Sequence, residues 1–291
     1  MPALRALASA FPDEELVLCA PRAIEPLARL TGAVDRVADT RELEPLPRAS
    51  RGASVLANLH GRGPQSHMLA LAAEPARLIA FEHSDVPQTH GLPAWRADEH
   101  EVARWCRLLA QSGVPADPGA LDLPSHGLPV PDGARGATLI HPGATSGARR
   151  WPAERFAAVA RAEREAGRHV VVTGSTSEAE LAEAVGGDIA LAGRTGLLEL
   201  AGAVAAADRV VCGDTGIAHL ATAFGTPSVV LFGPTPPARW GPPADRPQHR
   251  VVWHGGSGDP HGDRPHAGLL SISVDQVTDA LAGLPAPAVA R

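Results

Sequence analysis

Between Thr138 and Phe232, short apolar runs alternate with Ala-rich segments of two to four helical turns. The runs are Thr138–His141, His169–Thr173 (HVVVT), Asp188–Leu191, Arg209–Cys212 and Ser228–Phe232 (SVVLF). Most lack the polar alternation of a half-exposed strand and read as strands buried on both faces. The segments Pro152–Ala166, Ser177–Val185, Leu197–Ala206 and Gly216–Phe224 read as the helices between them. Strands and helices alternating at this spacing predict a parallel sheet covered on both faces, with ligands at the carboxyl ends of its strands.

The first half repeats the alternation less regularly. A helix runs through Leu4–Phe11, a strand through Glu15–Ala20 and a helix through Pro21–Leu30. The strand Ala53–Leu59 leads into the loop His60–Gly63 and the helix Ser66–Ala73. A strand, Arg77–Phe81, and a helix, Asp98–Gln111, follow. Pro, Gly and Asp then accumulate between Gly113 and Gly136, which marks a linker. A chain of 291 residues is long enough for two domains. We expect an acceptor-side domain at 1–130, a nucleotide-sugar-binding domain at 131–273, and a last helix, Val274–Leu281, with a tail to 291. That helix is expected to pack back onto the first domain.

Composition excludes several classes. A net charge of -6 argues against a general nucleic-acid binder, which needs a basic surface to neutralise phosphates. All 26 basic residues are Arg, so any phosphate must be gripped by guanidinium forks, and Schiff-base chemistry through Lys is excluded. Cys19, Cys106 and Cys212 are too far apart in sequence for a CxxC site and suggest no disulfide framework, which fits a reducing cytoplasm. Cys212 reads as a buried strand residue rather than a nucleophile. No apolar run reaches the length of a membrane span, and Met1–Arg5 lacks the features of a signal peptide.

Five loops of the second half fall on the predicted carboxyl edge: His141–Arg150 (HPGATSGARR), Gly174–Glu178, Gly193–Gly196, Gly213–Gly216 and Gly233–Trp240. Each offers Gly with Thr or Ser, as a phosphate- and ribose-binding surface requires. In the fourth, an apolar strand enters Gly213-Asp214-Thr215-Gly216 and a helix opens at once, aiming backbone N–H groups and a helix N-terminus at one spot. The plainer reading is a βα turn whose Asp and Thr cap the helix.

His141-Pro142-Gly143, Arg149-Arg150-Trp151-Pro152, Gly213–Gly216 with His219, and Phe232-Gly233-Pro234-Thr235 occur in that order. This pattern resembles glycosyltransferase family 9, the ADP-heptose:lipopolysaccharide heptosyltransferases and their relatives. The resemblance implies a GT-B fold, an α/β architecture of two Rossmann-like parallel-sheet domains facing a central cleft. It also implies inverting transfer of a sugar from a nucleotide diphosphate donor, without metal or cofactor. By the same resemblance Asp214, Thr215 and Gly216 hold the diphosphate and Thr145 adds a hydroxyl. Arg149 stands where Lys is common, Glu178 accepts from the ribose, and Thr195 lies near the base. His219 orients the loop or the phosphate. Beside these stand plainer readings: Arg149 and Arg150 as solvated charges, and Glu178 as a residue favouring the first turn of its helix.

Inverting transfer needs a base for the acceptor hydroxyl. Relatives carry a first strand and a Gly-Asp loop before a helix resembling Pro2–Leu7, so the resemblance puts the catalytic Asp outside the sequence given. Asn58, His60 and Arg62 are the acceptor-side candidates, with His60 able to serve as base near neutral pH. The tract His254–His266 has metal-ligand residue types but no rigid element, and reads as a flexible surface loop. The implied partners are a nucleotide diphosphate sugar and a glycan or small-molecule acceptor, with peripheral membrane association where that acceptor is lipid-linked. A sugar-nucleotide-binding protein without catalysis is the alternative.

Overall fold

A computed structural model describes residues 1–286. Residues 287–291 of the expected tail lie outside them. Contacts divide the chain into Met1–Leu121 and a second unit from Asp122 onward. The division falls ahead of residue 130 because the linker's latter part packs with the second unit. Leu123 N–H donates to the Ala223 carbonyl at 2.9 Å, and the Pro129 carbonyl lies where a Cβ on Gly202 would fall.

In the first unit, α1 (Pro2–Ala10), with Pro at its start, is followed by β1 (Val17–Ala20), α2 (Glu25–Arg29), β2 (Arg36–Asp39) and β3 (Leu56–Ala57). Then come α3 (Gln65–Ala72), β4 (Leu78–Ile79) and α4 (Glu101–Gln111). The strands form two separate parallel pairs, β1 with β2 and β3 with β4, rather than one sheet. The expected strand at 53–59 is thereby reduced to two residues, since only one of its edges finds a ladder. β2 has no counterpart in the sequence reading: Arg36 and Asp39 flank just two apolar residues. The expected helix at 21–30 breaks into a 3-10 turn, Arg22–Ile24, and α2, with Pro26 in the first turn of α2. α4 begins at Glu101 because the His100 ring accepts from Val102 N–H at 3.2 Å and caps it. Its buried face joins Leu108 and Leu109 to Ala3, Ala6, Ile79 and Phe81.

The second unit contains β5 (Thr138–His141), α5 (Ala153–Glu165), β6 (Val170–Val172), α6 (Ala179–Val185), β7 (Ile189–Ala190) and α7 (Leu197–Ala206). β8 (Arg209–Gly213), α8 (Gly216–Phe224), β9 (Ser228–Leu231), α9 (Pro237–Trp240) and β10 (His249–Val252) follow, then α10 (Ala267–Leu270) and α11 (Val274–Ala282). The six strands make one sheet in the order β10-β9-β8-β5-β6-β7, every pair parallel. The order reverses between β5 and β8, whose chains continue to opposite sides of the sheet. That reversal opens a crevice at the carboxyl ends of the two strands.

Val170, Val172, Val211 and Val229 are fully buried with Trp151, which precedes α5, and Phe156 in the first turn of α5, as two-sided burial requires. α11 joins this same core through Val277 and Leu281. It therefore packs on the second unit rather than the first, because its apolar stripe finds its partners beside α5 and β9. Ser273 and Gln276 cap it reciprocally. Among the described residues, no helix is long and apolar enough to cross a membrane.

Candidate functional site

The crevice is walled by the two loops that leave β5 and β8. In register, His141 lies beside Cys212, so Pro142 and Gly213 start the loops side by side. The β5 loop is anchored behind by Trp151, which is buried, donates to the Ile272 carbonyl at 3.2 Å and stands edge-on to Phe156. In front, Arg149 Nη1 donates to the Asp214 carbonyl at 3.3 Å, which ties one loop to the other. A Cβ on Gly213 would meet the Arg149 carbonyl at 3.1 Å, so this close approach favours glycine there.

Thr215 opens α8 in extended conformation, and no side chain caps the helix. Its hydroxyl turns back toward the Gly213 carbonyl at 3.5 Å. The space over Gly216 is empty to 4 Å. An uncapped helix N-terminus under open space offers N–H groups and a positive dipole end to an anion. The Nε of Arg149 is buried and has no hydrogen-bond partner among the described residues. A buried guanidinium N–H without acceptor is costly and points to a partner that arrives with a ligand.

Asp214 is 8% exposed. Burial pushes its carboxyl above the usual range, against the opposing pull of the Arg149 guanidinium. His219 is exposed on the first turn of α8, its ring centroid 6.0 Å from that of the exposed Trp240. Thr145 is exposed on the β5 loop, while Arg150 folds back to donate to the Ala144 carbonyl at 2.8 Å.

Glu178 reaches back to the start of its turn: its Oε2 accepts from Ser175 N–H at 2.8 Å and from the Ser175 hydroxyl at 2.9 Å. Its carboxylate also lies against Gly143, where a Cβ would overlap it. Burial raises this carboxyl, but the Ser175 bonds together with His141 and Arg150 outweigh it and leave it below the usual range. Burial lowers His141, with Glu178 opposing, and its Nδ1 lies 3.0 Å from the Thr173 hydroxyl. Thr195 is half-buried in the loop that precedes α7.

The tract 254–266 is not a loose surface loop over its latter part. The Ser146 hydroxyl donates to the Pro260 carbonyl, Ala148 N–H to the Gly262 carbonyl at 2.7 Å, and His266 N–H to the Ala148 carbonyl at 3.2 Å. Gly258 N–H donates to the Pro234 carbonyl at 3.0 Å. The tract is thus a strap laced to the loop that bears Arg149 and to the loop after β9. Glycine and proline signalled irregular backbone, and nothing in the sequence pairs that backbone with residues more than a hundred positions away. Among the described residues, no group of three His, Cys, Asp or Glu side chains converges as a metal site.

In the first unit, Asn58 is 6% exposed and its carboxamide is fully engaged. Its Nδ2 donates to the Ser66 hydroxyl at 3.0 Å and to His67 Nδ1 at 2.7 Å, and its Oδ1 accepts from His60 N–H at 3.1 Å. His60 is exposed with Nε2 3.5 Å from Glu42, and Arg62 is exposed beside Glu82, His83 and Trp95. His67, which the sequence reading passed over as one residue of a helix, is fully buried and holds this loop from beneath. A Cβ on Gly63 would meet its ring at 2.8 Å.

The model of glycosyltransferase family 9 (heptosyltransferase) matches residues 86–258, more than half of the chain. Lipooligosaccharide heptosyltransferase 2 of Haemophilus influenzae is 32% identical over 115 residues, which span 36% of this chain and 33% of that protein. A family 9 glycosyl transferase of Veillonella parvula superposes with a TM-score of 0.77 at 22% identity, covering 97% of this chain and 91% of that one. The E. coli ADP-heptose lipopolysaccharide heptosyltransferase II gives 0.72 at 21% identity, over 97% and 92%. The fold is thus the GT-B fold of these enzymes, and the chain belongs to glycosyltransferase family 9.

Proposed function

We propose that this chain is an inverting glycosyltransferase that takes a sugar, a heptose carried on ADP, from its nucleotide diphosphate and transfers it to a glycan or small-molecule acceptor. The observation that carries the reading is the unpartnered Arg149 Nε beside the uncapped, open N-terminus of α8. A diphosphate satisfies both. As the glycosidic bond breaks, charge grows on the leaving diphosphate, and fixed N–H donors aimed at that charge lower the barrier. Asp214, Thr215 and Gly216 shape the seat, with Thr145 and His219 at its margin and Glu178 and Thr195 on the nucleoside side.

On the acceptor side, His60 and Arg62 project from a loop that Asn58 holds. His60, facing Glu42, is the candidate base. The partly exposed thiol of Cys19 and the buried thiols of Cys106 and Cys212 are all free, which suits a cytoplasmic enzyme, and a lipid-linked acceptor would bring it to the membrane surface.

Incubation with ADP-heptose, and in parallel with UDP- and GDP-sugars, tests this in two stages. Binding of ADP-heptose with release of ADP dependent on an added acceptor supports transfer. Binding without acceptor-dependent release would reduce the protein to a sugar-nucleotide binder, and no binding to any donor would refute both.

A further inference from the structure

Along the carboxyl edge of the second unit's sheet, the donor reading lays a nucleotide sugar out in strand order. Glu178 and Thr195, on the nucleoside side, follow β6 and β7, and the diphosphate seat lies at the ends of β5 and β8. On the other side of β8 the next strand is β9, about 4.8 Å away. A sugar on the far phosphate, leading away from the nucleoside, therefore meets the loop that leaves β9.

That loop is stiff. Pro234, Pro236, Pro237, Pro242 and Pro243 each fix a φ angle along it. Arg239 N–H donates to the Pro236 carbonyl at 3.0 Å and Gly241 N–H to the Pro237 carbonyl at 2.6 Å, which closes a turn around Trp240. A Cβ on Gly241 would meet the Pro237 carbonyl at 2.6 Å, so the turn needs glycine directly after the indole. The side chain held in place by all this is still 41% exposed. A large aromatic that is ordered without being buried is organised in advance for something that covers it.

His219 says where that surface lies. It stands in the first turn of α8, three residues after Gly216, and a helical side chain leans back toward its own N-terminus. Its ring centroid is 6.0 Å from that of Trp240, with the planes at 53°. The indole is thus carried to the margin of the diphosphate seat. We propose that Trp240, flanked by His219, is the platform for the transferred sugar, and that it takes the C–H face of a pyranose ring. A pyranose gathers its axial C–H bonds on one face and sets its hydroxyls around the rim, so a flat apolar surface beside a polar ring suits it. The subsite reads ring shape, and the inference rests on the donor reading of the site beside it.

Calorimetry of the full chain with ADP and with ADP-heptose tests this on the wild type, Trp240→Ala, Trp240→Leu and Trp240→Phe. Trp240 is exposed, so its replacement spares the core. Trp240→Ala lowers ADP-heptose affinity about tenfold and leaves ADP affinity unchanged, and Trp240→Phe, which keeps a flat face, recovers most of the loss. Trp240→Leu, which keeps apolar bulk without that face, does not. Four results would each overturn the platform while the diphosphate seat stands: unchanged ADP-heptose affinity in Trp240→Ala, an equal loss for ADP, full recovery in Trp240→Leu, or a wild type that binds ADP but not ADP-heptose. A wild type that binds neither would refute the donor reading and this inference with it.

Discussion

The ring of His67 accepts from Asn58 at 2.7 Å through Nδ1 and lies 2.8 Å from the Phe81 carbonyl through Nε2. A carbonyl only accepts, and the Asn58 amide nitrogen only donates, so the proton sits on Nε2 and the ring is neutral. That tautomer fixes the Asn58 carboxamide, and Asn58 in turn holds the backbone of His60. We expect Asn58→Ala to leave a buried ring nitrogen and the His60 N–H unsatisfied, and to destabilise the fold by about 1–3 kcal/mol. Urea denaturation checks the loss, and faster amide exchange at His60 locates it.

Acid should weaken the protein by a definite route. His249 is buried, its Nδ1 bonded to the Ser228 hydroxyl at 2.8 Å, and burial together with Arg246 pushes its pKa from 6.5 down to about 4. The unfolded chain takes up the proton near 6.5 and the folded chain only near 4. Stability is therefore full above 6.5 and is lost as pH falls across that interval, by on the order of 3 kcal/mol. His67 and His141, both lowered by burial, add in the same direction. Denaturation midpoints at pH 7 and 4.5 should show the drop, and His249→Gln should flatten its slope; an unchanged slope would count against this assignment.

The strap offers a sharper local test. A Cβ on Gly147 would run into the backbone carbonyl of Asp263. Gly147→Ala must push the strap off the Arg149 loop, at a cost of about 1–3 kcal/mol if the clash is absorbed locally. We expect ADP affinity to fall several-fold while far-UV circular dichroism is retained. Unchanged affinity would mean that the strap does not position Arg149.

The second unit was legible because its strands are buried on both faces: runs such as HVVVT and SVVLF admit little else. The loops at its switch point followed from those strands. What escaped the sequence were contacts between distant backbones. The strap's bonds to Ala148 use main-chain groups, which carry no residue signature. The first unit misled for a related reason: β1 and β3 each lack a ladder on one side, so apolar runs such as ASVLANL form less strand than their composition allows. His67 looked like one more helix residue, since burial and a tautomer are properties of the fold around it. The sequence allows Glu178 a ribose contact or a place favouring the first turn of its helix, but its bonds to Ser175 and its closeness to Gly143 depend on how two loops fold together and have no signature in the sequence.

The central claim is that Arg149 and the N-terminus of α8 seat a diphosphate. Calorimetric titration of the wild-type chain and of Arg149→Ala with ADP and ADP-heptose tests it most directly. The account predicts saturable binding by the wild type, and a loss of about 1.5–3 kcal/mol in the variant, or roughly ten- to a hundredfold, with the unfolding midpoint little changed. Equal affinity in the two proteins, or no binding by the wild type, would contradict it.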